Sequence, residues 1–161
     1  MITILTTGGT IEGLEYNDKD KILLKHISTI PELLKQGNIT EEYEIKELFS
    51  KDSKFISPKD HQNILSVCQE TEGSIIITHG TATMVETAKF LTQSNLSKTI
   101  VLTGSMILGT EVNSDALFNL GAAFTAAQTL PQGIYVAMNG QIFAANNVKK
   151  NTEKKVFENE F

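Results

Sequence analysis

The chain has 161 residues, a formal net charge of −5, one cysteine and no tryptophan. At this length roughly 68–70% of the unfolded surface can be buried, which allows one cored domain over 1–161 and excludes a small disulfide-stapled scaffold. The acidic balance argues against a nucleic-acid partner, which needs a basic face, and the single Cys68 excludes an intramolecular disulfide. No run approaches the ~18 apolar residues of a membrane span, and the N-terminus lacks a charged and apolar leader, so no membrane partner and a cytoplasmic location are expected.

Ile2-Thr3-Ile4-Leu5 opens the chain as a short buried strand and runs into Thr6-Thr7-Gly8-Gly9-Thr10. Two glycines there let the backbone turn sharply and aim consecutive N–H groups into one concavity, where they can hold an anion or a developing oxyanion. Threonine hydroxyls beside such donors are the minimal equipment for attack on a carbonyl. Ile11 to Lys25 is polar and uneven and reads as a mobile surface segment, with a short strand at Ile22-Leu23-Leu24. Tyr16, the aromatic in its middle, reads equally as a lid residue and as an ordinary surface tyrosine.

Pro31 to Lys35 forms a short helix closed by Gly37, and Tyr43 to Phe49 alternates as a strand near a sheet edge. Ser57-Pro58 starts a helix whose buried stripe is His61, Ile64, Leu65 and Cys68, which makes Cys68 a core thiol. Ser74 to Thr78 is continuously apolar at its centre, as a strand covered on both faces is. His79-Gly80-Thr81-Ala82 follows, and Thr83 with Glu86 matches a capping box for the next helix. Thr99 to Thr103 is another buried strand and leads to Gly104-Ser105-Met106. Ser114-Asp115 caps a helix carrying Leu117, Leu120, Phe124 and Ala127 on one side. Gly133 to Ala137 is a fifth strand, with Gln141 to Phe143 pairing locally.

Alternating strands and helices imply an α/β fold, a Rossmann/flavodoxin-like three-layer sandwich with a mostly parallel sheet in a single domain. Ligands of such sheets bind beyond the carboxyl ends of the strands, at a topological switch point. Three glycine-bearing polar loops, Thr7–Thr10, Thr78–Thr83 and Thr103–Met106, are expected to converge there. Thr10 and Thr81 supply hydroxyls, and Tyr16 and Lys150 are candidate proton handlers. A lysine acts as a base only if burial or a cationic neighbour such as Lys149 lowers its pKa.

Thr6-Thr7-Gly8-Gly9-Thr10-Ile11 and Thr78-His79-Gly80-Thr81-Ala82-Thr83-Met84-Val85-Glu86-Thr87-Ala88 closely resemble the two signature segments of bacterial-type L-asparaginases. The resemblance continues in order through Asp52-Ser53, Val101 to Met106, Ser114 to Asn119 and Asn147 to Asn151, and covers nearly the whole chain. It implies hydrolysis of L-asparagine, with L-glutamine as a further candidate, to the acid and ammonia through a threonine acyl-enzyme. Thr10 matches the nucleophile and Tyr16 the lid tyrosine that helps deprotonate it. Thr81 and Lys150 match the inner threonine and lysine. Gly9 and Gly80 belong to the matched loops. Asp52 and Ser53 stand where the family holds the α-amino and α-carboxylate groups, and Ser105 where a backbone carbonyl meets the amide nitrogen. No metal and no organic cofactor are implied. Because most members carry a second domain, the chain reads as a short single-domain form. A neighbouring subunit supplies an acidic group in two-domain members, so a homo-oligomer that closes the site differently is expected.

Ala82 departs from the pattern, which places aspartate there. The missing carboxylate normally pairs with the substrate ammonium and the inner lysine, and losing one charge-assisted hydrogen bond costs about ten- to a hundredfold. An engineered change and a natural weak or altered-specificity member both account for it. Two non-hydrolytic alternatives stand beside the enzyme: an amino-acid-binding relative without turnover, and a flavin- or phosphate-binding module, since Thr7-Gly8-Gly9-Thr10 also resembles a flavodoxin-type phosphate loop. With no tryptophan and three tyrosines the chain is poorly equipped to sandwich a flavin ring. Neither G-x-G-x-x-G nor a G-K-[ST] loop occurs.

Overall fold

The backbone of β1, Ile2–Gly8, runs through the middle of the molecule with every residue buried. The computed structural model describes residues 1–14 and 28–161, so the strand expected at Ile22-Leu23-Leu24 lies outside the described residues. The elements that follow are α1 (Ile30–Gln36), β2 (Tyr43–Lys51), α2 (Pro58–Glu70), β3 (Ser74–Thr78), α3 (Met84–Thr92) and β4 (Thr99–Thr103). After these come α4 (Ala116–Thr129), β5 (Gly133–Met138), β6 (Gln141–Ala144), β7 (Lys149–Asn151) and β8 (Val156–Glu158).

Six strands form one sheet in the order β2-β1-β3-β4-β5-β6. The first five are parallel and β6 returns antiparallel on β5, the local pairing anticipated for Gln141 to Phe143. The fold is therefore the flavodoxin-like α/β sandwich expected, with β2 at the edge where its alternating pattern put it.

Strand alternation splits the core in two. Ile4, Ile76 and Val101 sit in register across β1, β3 and β4 and pack under α1 and α4, against Ile30, Leu34, Leu120 and Phe124. Leu5, Ile75, Ile77, Ile100 and Leu102 point the other way, against Ile64 and Cys68 of α2 and Met84, Ala88 and Leu91 of α3. Burial on both faces is why β3 and β4 read as uninterrupted apolar runs.

The helix starts only partly follow their sequence signals. At α2 the Ser57 hydroxyl accepts the Asp60 N–H while the Asp60 carboxylate accepts the Ser57 N–H, a complete capping box with Pro58 in the first turn. At α3 the expected Thr83–Glu86 box does not form, because the Thr83 hydroxyl donates instead to Ser53 O at 2.8 Å. A tertiary partner beyond the end of β2 orients the hydroxyl that would otherwise accept the Glu86 N–H. At α4 the Asp115 carboxylate likewise turns outward, accepting the Met106 and Ile107 N–H groups, while the Ser114 hydroxyl takes the Ala116 N–H.

Cys68 is completely buried, and burial pushes its thiol up to about 12. Its thiolate fraction near neutrality is then several orders of magnitude below that of a free cysteine. In the native chain at pH 8, Cys68 should react with a disulfide reagent at least about a hundredfold more slowly than after unfolding in guanidinium. Comparable rates in the two states would place the thiol at the surface.

Candidate active site

The chain leaves β1 for β2 on one side and returns to β3 on the other, so the switch point of the sheet lies between β1 and β3. There the loops converge on glycine. A Cβ on Gly9 would stand 2.6 Å from Gly80 N and 2.7 Å from Gly80 Cα, and one on Gly80 would stand 2.7 Å from Ser53 Oγ. Gly9 also holds φ at +88°, a backbone region that L side chains rarely adopt. Three strand ends thus meet without intervening side chains.

The resulting cavity holds about 280 Å³. Gly9 and Thr10 come from the end of β1, Asp52, Ser53 and Lys54 from β2, Gly80, Thr81 and Ala82 from β3, and Lys150 from β7. This set includes eight of the ten residues named from sequence. Tyr16 lies outside the described residues. Ser105 does not line the cavity: it is buried behind it, donating its hydroxyl to Ile107 O. The Thr103–Met106 loop therefore backs the site instead of lining it, with Gly104 against His79 O and Met84. The end of β2 takes its place.

Thr10 begins a one-turn 3₁₀ segment, Thr10–Glu12, whose carbonyl at Thr10 accepts the Gly13 and Gly109 N–H groups. Thr10 lines the cavity with its backbone pinned, and among the described residues nothing hydrogen-bonds to its hydroxyl. Lys150 reaches the same space from the hairpin of β7 and β8. It stands opposite Phe157, a core residue, so both side chains point inward, whereas Lys149 faces outward toward Glu158. Lys150 Nζ donates to Thr81 Oγ1 at 2.9 Å. Burial, opposed by the charge of Glu86, lowers the Lys150 pKa; Lys149 is not the cause. Among the described residues Lys150 makes no ion pair, and Ala82 beside it offers no carboxylate.

Asp52 caps the turn Ser53–Phe55, accepting the Lys54 N–H, with Lys54 Nζ 3.7 Å from its other oxygen. Ser53 is buried, and its hydroxyl accepts the Thr83 N–H. Ser53 thereby fastens the β2 loop to the β3 loop.

Glu12 is the residue that sequence reading missed. Its surroundings in sequence are polar and suggest a surface segment, yet Ile11, Glu12 and Leu14 are all buried. The Glu12 carboxylate accepts the Gly8 N–H at 3.0 Å and the Thr78 hydroxyl at 2.9 Å, and so joins the ends of β1 and β3 beneath the cavity. Burial, helped by the charge of Glu47, pushes its pKa up to about 7 against those two hydrogen bonds. A glutamate directly after an apolar residue, two places beyond Thr10, was the only available signal.

A larger apolar groove of about 680 Å³ runs along α4 past Phe118 and Ile142, but no ionisable side chain lines it. Among the described residues no cluster of His, Cys, Asp or Glu could hold a metal ion, and no helix is long and apolar enough to cross a membrane.

Residues 1–158 match the family model described as Asparaginase, N-terminal, and the chain belongs to the asparaginase family. It is 35% identical over 167 residues to a probable periplasmic L-asparaginase of Haemophilus influenzae, covering 96% of this chain and 47% of that protein. It is 32% identical over 163 residues to a glutaminase-asparaginase of Acinetobacter glutaminasificans, covering 92% and 49%. Among solved structures, the thermostable L-asparaginase from Thermococcus kodakarensis superposes with a TM-score of 0.82 at 31% identity, over 98% of this chain and 50% of that one. The chain thus spans about half the length of the curated relatives it matches.

Folding raises the Glu12 pKa from 4.5 to about 7, so between these values the folded chain keeps a proton that the unfolded chain has lost. Stability from this group is full below pH 4.5 and falls as pH rises through 7, by up to about 3 kcal/mol. His79, lowered by burial to about 4, works in the opposite sense over pH 4 to 6.5. The Glu12 contribution is therefore read as a difference: Glu12→Gln should unfold at higher urea than the wild type at pH 8 and should close that gap near pH 5. A pH-independent gap would contradict the assignment.

Proposed function

We propose that this chain carries an L-asparagine amidohydrolase site that yields L-aspartate and ammonia through an acyl-enzyme on Thr10. The observation that carries the reading is the joining of Thr10, Thr81 and Lys150 around one cavity at the sheet's switch point, with Lys150 Nζ bonded to the Thr81 hydroxyl. A threonine nucleophile needs a hydroxyl carried on a pinned backbone, adjacent backbone donors and a group of lowered pKa, and each has a counterpart here.

In this reading Thr10 Oγ adds to the side-chain amide carbon, with Tyr16 helping to remove its proton. The C–N bond then breaks, and nitrogen leaves as ammonia with that proton. Water cleaves the ester, one hydrogen returning to Thr10 and the hydroxyl completing the aspartate carboxyl. Thr81 and Lys150 handle the proton on the inner side. Asp52 and Ser53 hold the α-ammonium and α-carboxylate; Ser105, outside the cavity lining, takes no direct part. Glutamine is a second candidate substrate, supported by the glutaminase-asparaginase relative. The working unit is read as a homo-oligomer.

Ala82 makes this a weak site for a substrate bearing a free α-ammonium, because position 82 offers no carboxylate beside the cation Lys150. Thr10→Ala should lower ammonia release from L-asparagine by at least about a thousandfold, to the background of water attack within the cavity. Ala82→Asp should raise kcat/KM for asparagine at least about tenfold, the value of one recovered charge-assisted bond. Both are measured by coupled ammonia assay. Retained turnover in the Thr10 variant would refute the nucleophile, and calorimetric binding of asparagine without ammonia release would mark a binding protein.

A further inference from the structure

His79, fully buried at the end of β3, takes no part in the chemistry above, yet both its ring nitrogens are engaged. Nδ1 lies 2.7 Å from Gly80 O, and Nε2 lies 2.8 Å from Thr87 Oγ1 in the first turn of α3. The same hydroxyl lies 3.0 Å from His61 Nε2 on α2. These contacts, with the His79 ring neutral, set the direction of each proton. A carbonyl oxygen only accepts, so His79 Nδ1 carries hydrogen. Burial lowers the His79 pKa to about 4, so the ring is neutral near pH 7 and Nε2 is a lone pair. Thr87 therefore donates to His79, and its oxygen accepts the N–H of His61. The His61 ring is itself held by stacking on Phe90, 5.0 Å between centroids at 19°. Donors thus run one way, from α2 through α3 to the Gly80 carbonyl.

What this chain of bonds holds still is a peptide of the cavity wall. A trans peptide points its C=O and the next N–H to opposite sides, and no cis bond occurs in the described chain. With Gly80 C=O tied to a ring inside the core, the Thr81 N–H is turned away from the core. Thr81 borders the cavity, and among the described residues its N–H has no acceptor.

We propose that His79 is a positioning residue: the Thr87 hydroxyl holds it in one tautomer and orientation, and it fixes the Gly80–Thr81 peptide so that Thr81 N–H faces a substrate amide oxygen as that oxygen gains charge. The inference rests on the amidohydrolase reading, and the test separates the two.

Thr87→Val keeps the shape and removes the hydroxyl, whereas Thr87→Ser keeps the hydroxyl. With the full chain and L-asparagine, Thr87→Val should lower kcat at least about tenfold and change KM less than about threefold, because a donor to a developing oxyanion matters most in the transition state. Thr87→Ser should stay within about threefold of wild type. Imidazole ¹⁵N NMR near pH 7 should show His79 as the Nδ1–H tautomer and His61 as the Nε2–H tautomer in the wild type and in Thr87→Ser. This arm holds even if Thr87→Val fails to fold. An Nε2–H tautomer at His79, or wild-type kcat in folded Thr87→Val, overturns the proposal. Both tautomers as expected, with no ammonia released by any version, would support the hydrogen-bond chain and overturn the amidohydrolase reading instead.

Discussion

Backbone-to-backbone contact between Gly9 and Gly80 is the constraint on which the site depends. The two loops leave adjacent parallel strands, and side chains at their tips would ordinarily hold them apart. Here the approach is so close that any Cβ on Gly9 would overlap the Gly80 peptide, and any on Gly80 would overlap the Ser53 hydroxyl. The cost is backbone entropy and, at Gly9, a positive φ. The gain is that Thr10 and Thr81 share one small cavity. Parallel pairing places the carboxyl ends of β1, β2 and β3 side by side, so the convergence follows from topology once the glycines allow it.

Closing the loops this tightly buries polar groups beneath them, and these are tied to one another. Thr7 Oγ1 donates to Thr78 O, Thr78 Oγ1 donates to Glu12, and Glu12 accepts the Gly8 N–H. On the other side of β3, His79 joins Gly80 O to Thr87. The floor of the cavity is thus a set of buried hydrogen bonds whose members support one another in a medium of low dielectric. Such a floor is stiff, which suits the role proposed for Thr10, whose hydroxyl must be presented in one orientation. It also explains why a carboxyl group tolerates burial here: much of its charge penalty is avoided by a raised pKa.

The fold was largely legible because it is written in period and punctuation. The continuous runs of β3 and β4 and the Ser57-Pro58 start each reflect a local rule that tertiary structure did not override, and of the stripe His61-Ile64-Leu65-Cys68 Ile64 and Cys68 are buried while His61 and Leu65 are half-buried. The Thr83–Glu86 box was misread because the Thr83 side chain found an acceptor distant in sequence, Ser53 O; Ser114-Asp115 does cap its helix, through the Ser114 hydroxyl, while the Asp115 carboxylate serves the Met106–Ile107 turn. Glu12 was misread because charge predicts exposure unless a partner is known, and its partners Gly8 and Thr78 meet it only after β1 and β3 pair. For the same reason the roles of Thr81 and Lys150 came from resemblance and not from spacing: their 2.9 Å bond spans 69 positions and depends on a hairpin built last in the chain.

That hairpin bears on what Ala82 does to the proposed chemistry. Lys150 is anchored through Phe157, whose N–H donates to Asn139 and whose ring lies in the core, so its place does not depend on a carboxylate at position 82. Without that carboxylate only the charge of Glu86 opposes the effect of burial on the Lys150 pKa. Two consequences then oppose each other. The substrate ammonium loses an anionic partner, which weakens binding. The lysine gives up its proton more readily, which favours its use as a base toward Thr81. The first acts on every zwitterionic substrate at the binding step and the second only where Thr81 must be deprotonated. In the proposed chemistry an aspartate at position 82 therefore acts first on the binding of asparagine, and the two effects oppose each other in the chemical step.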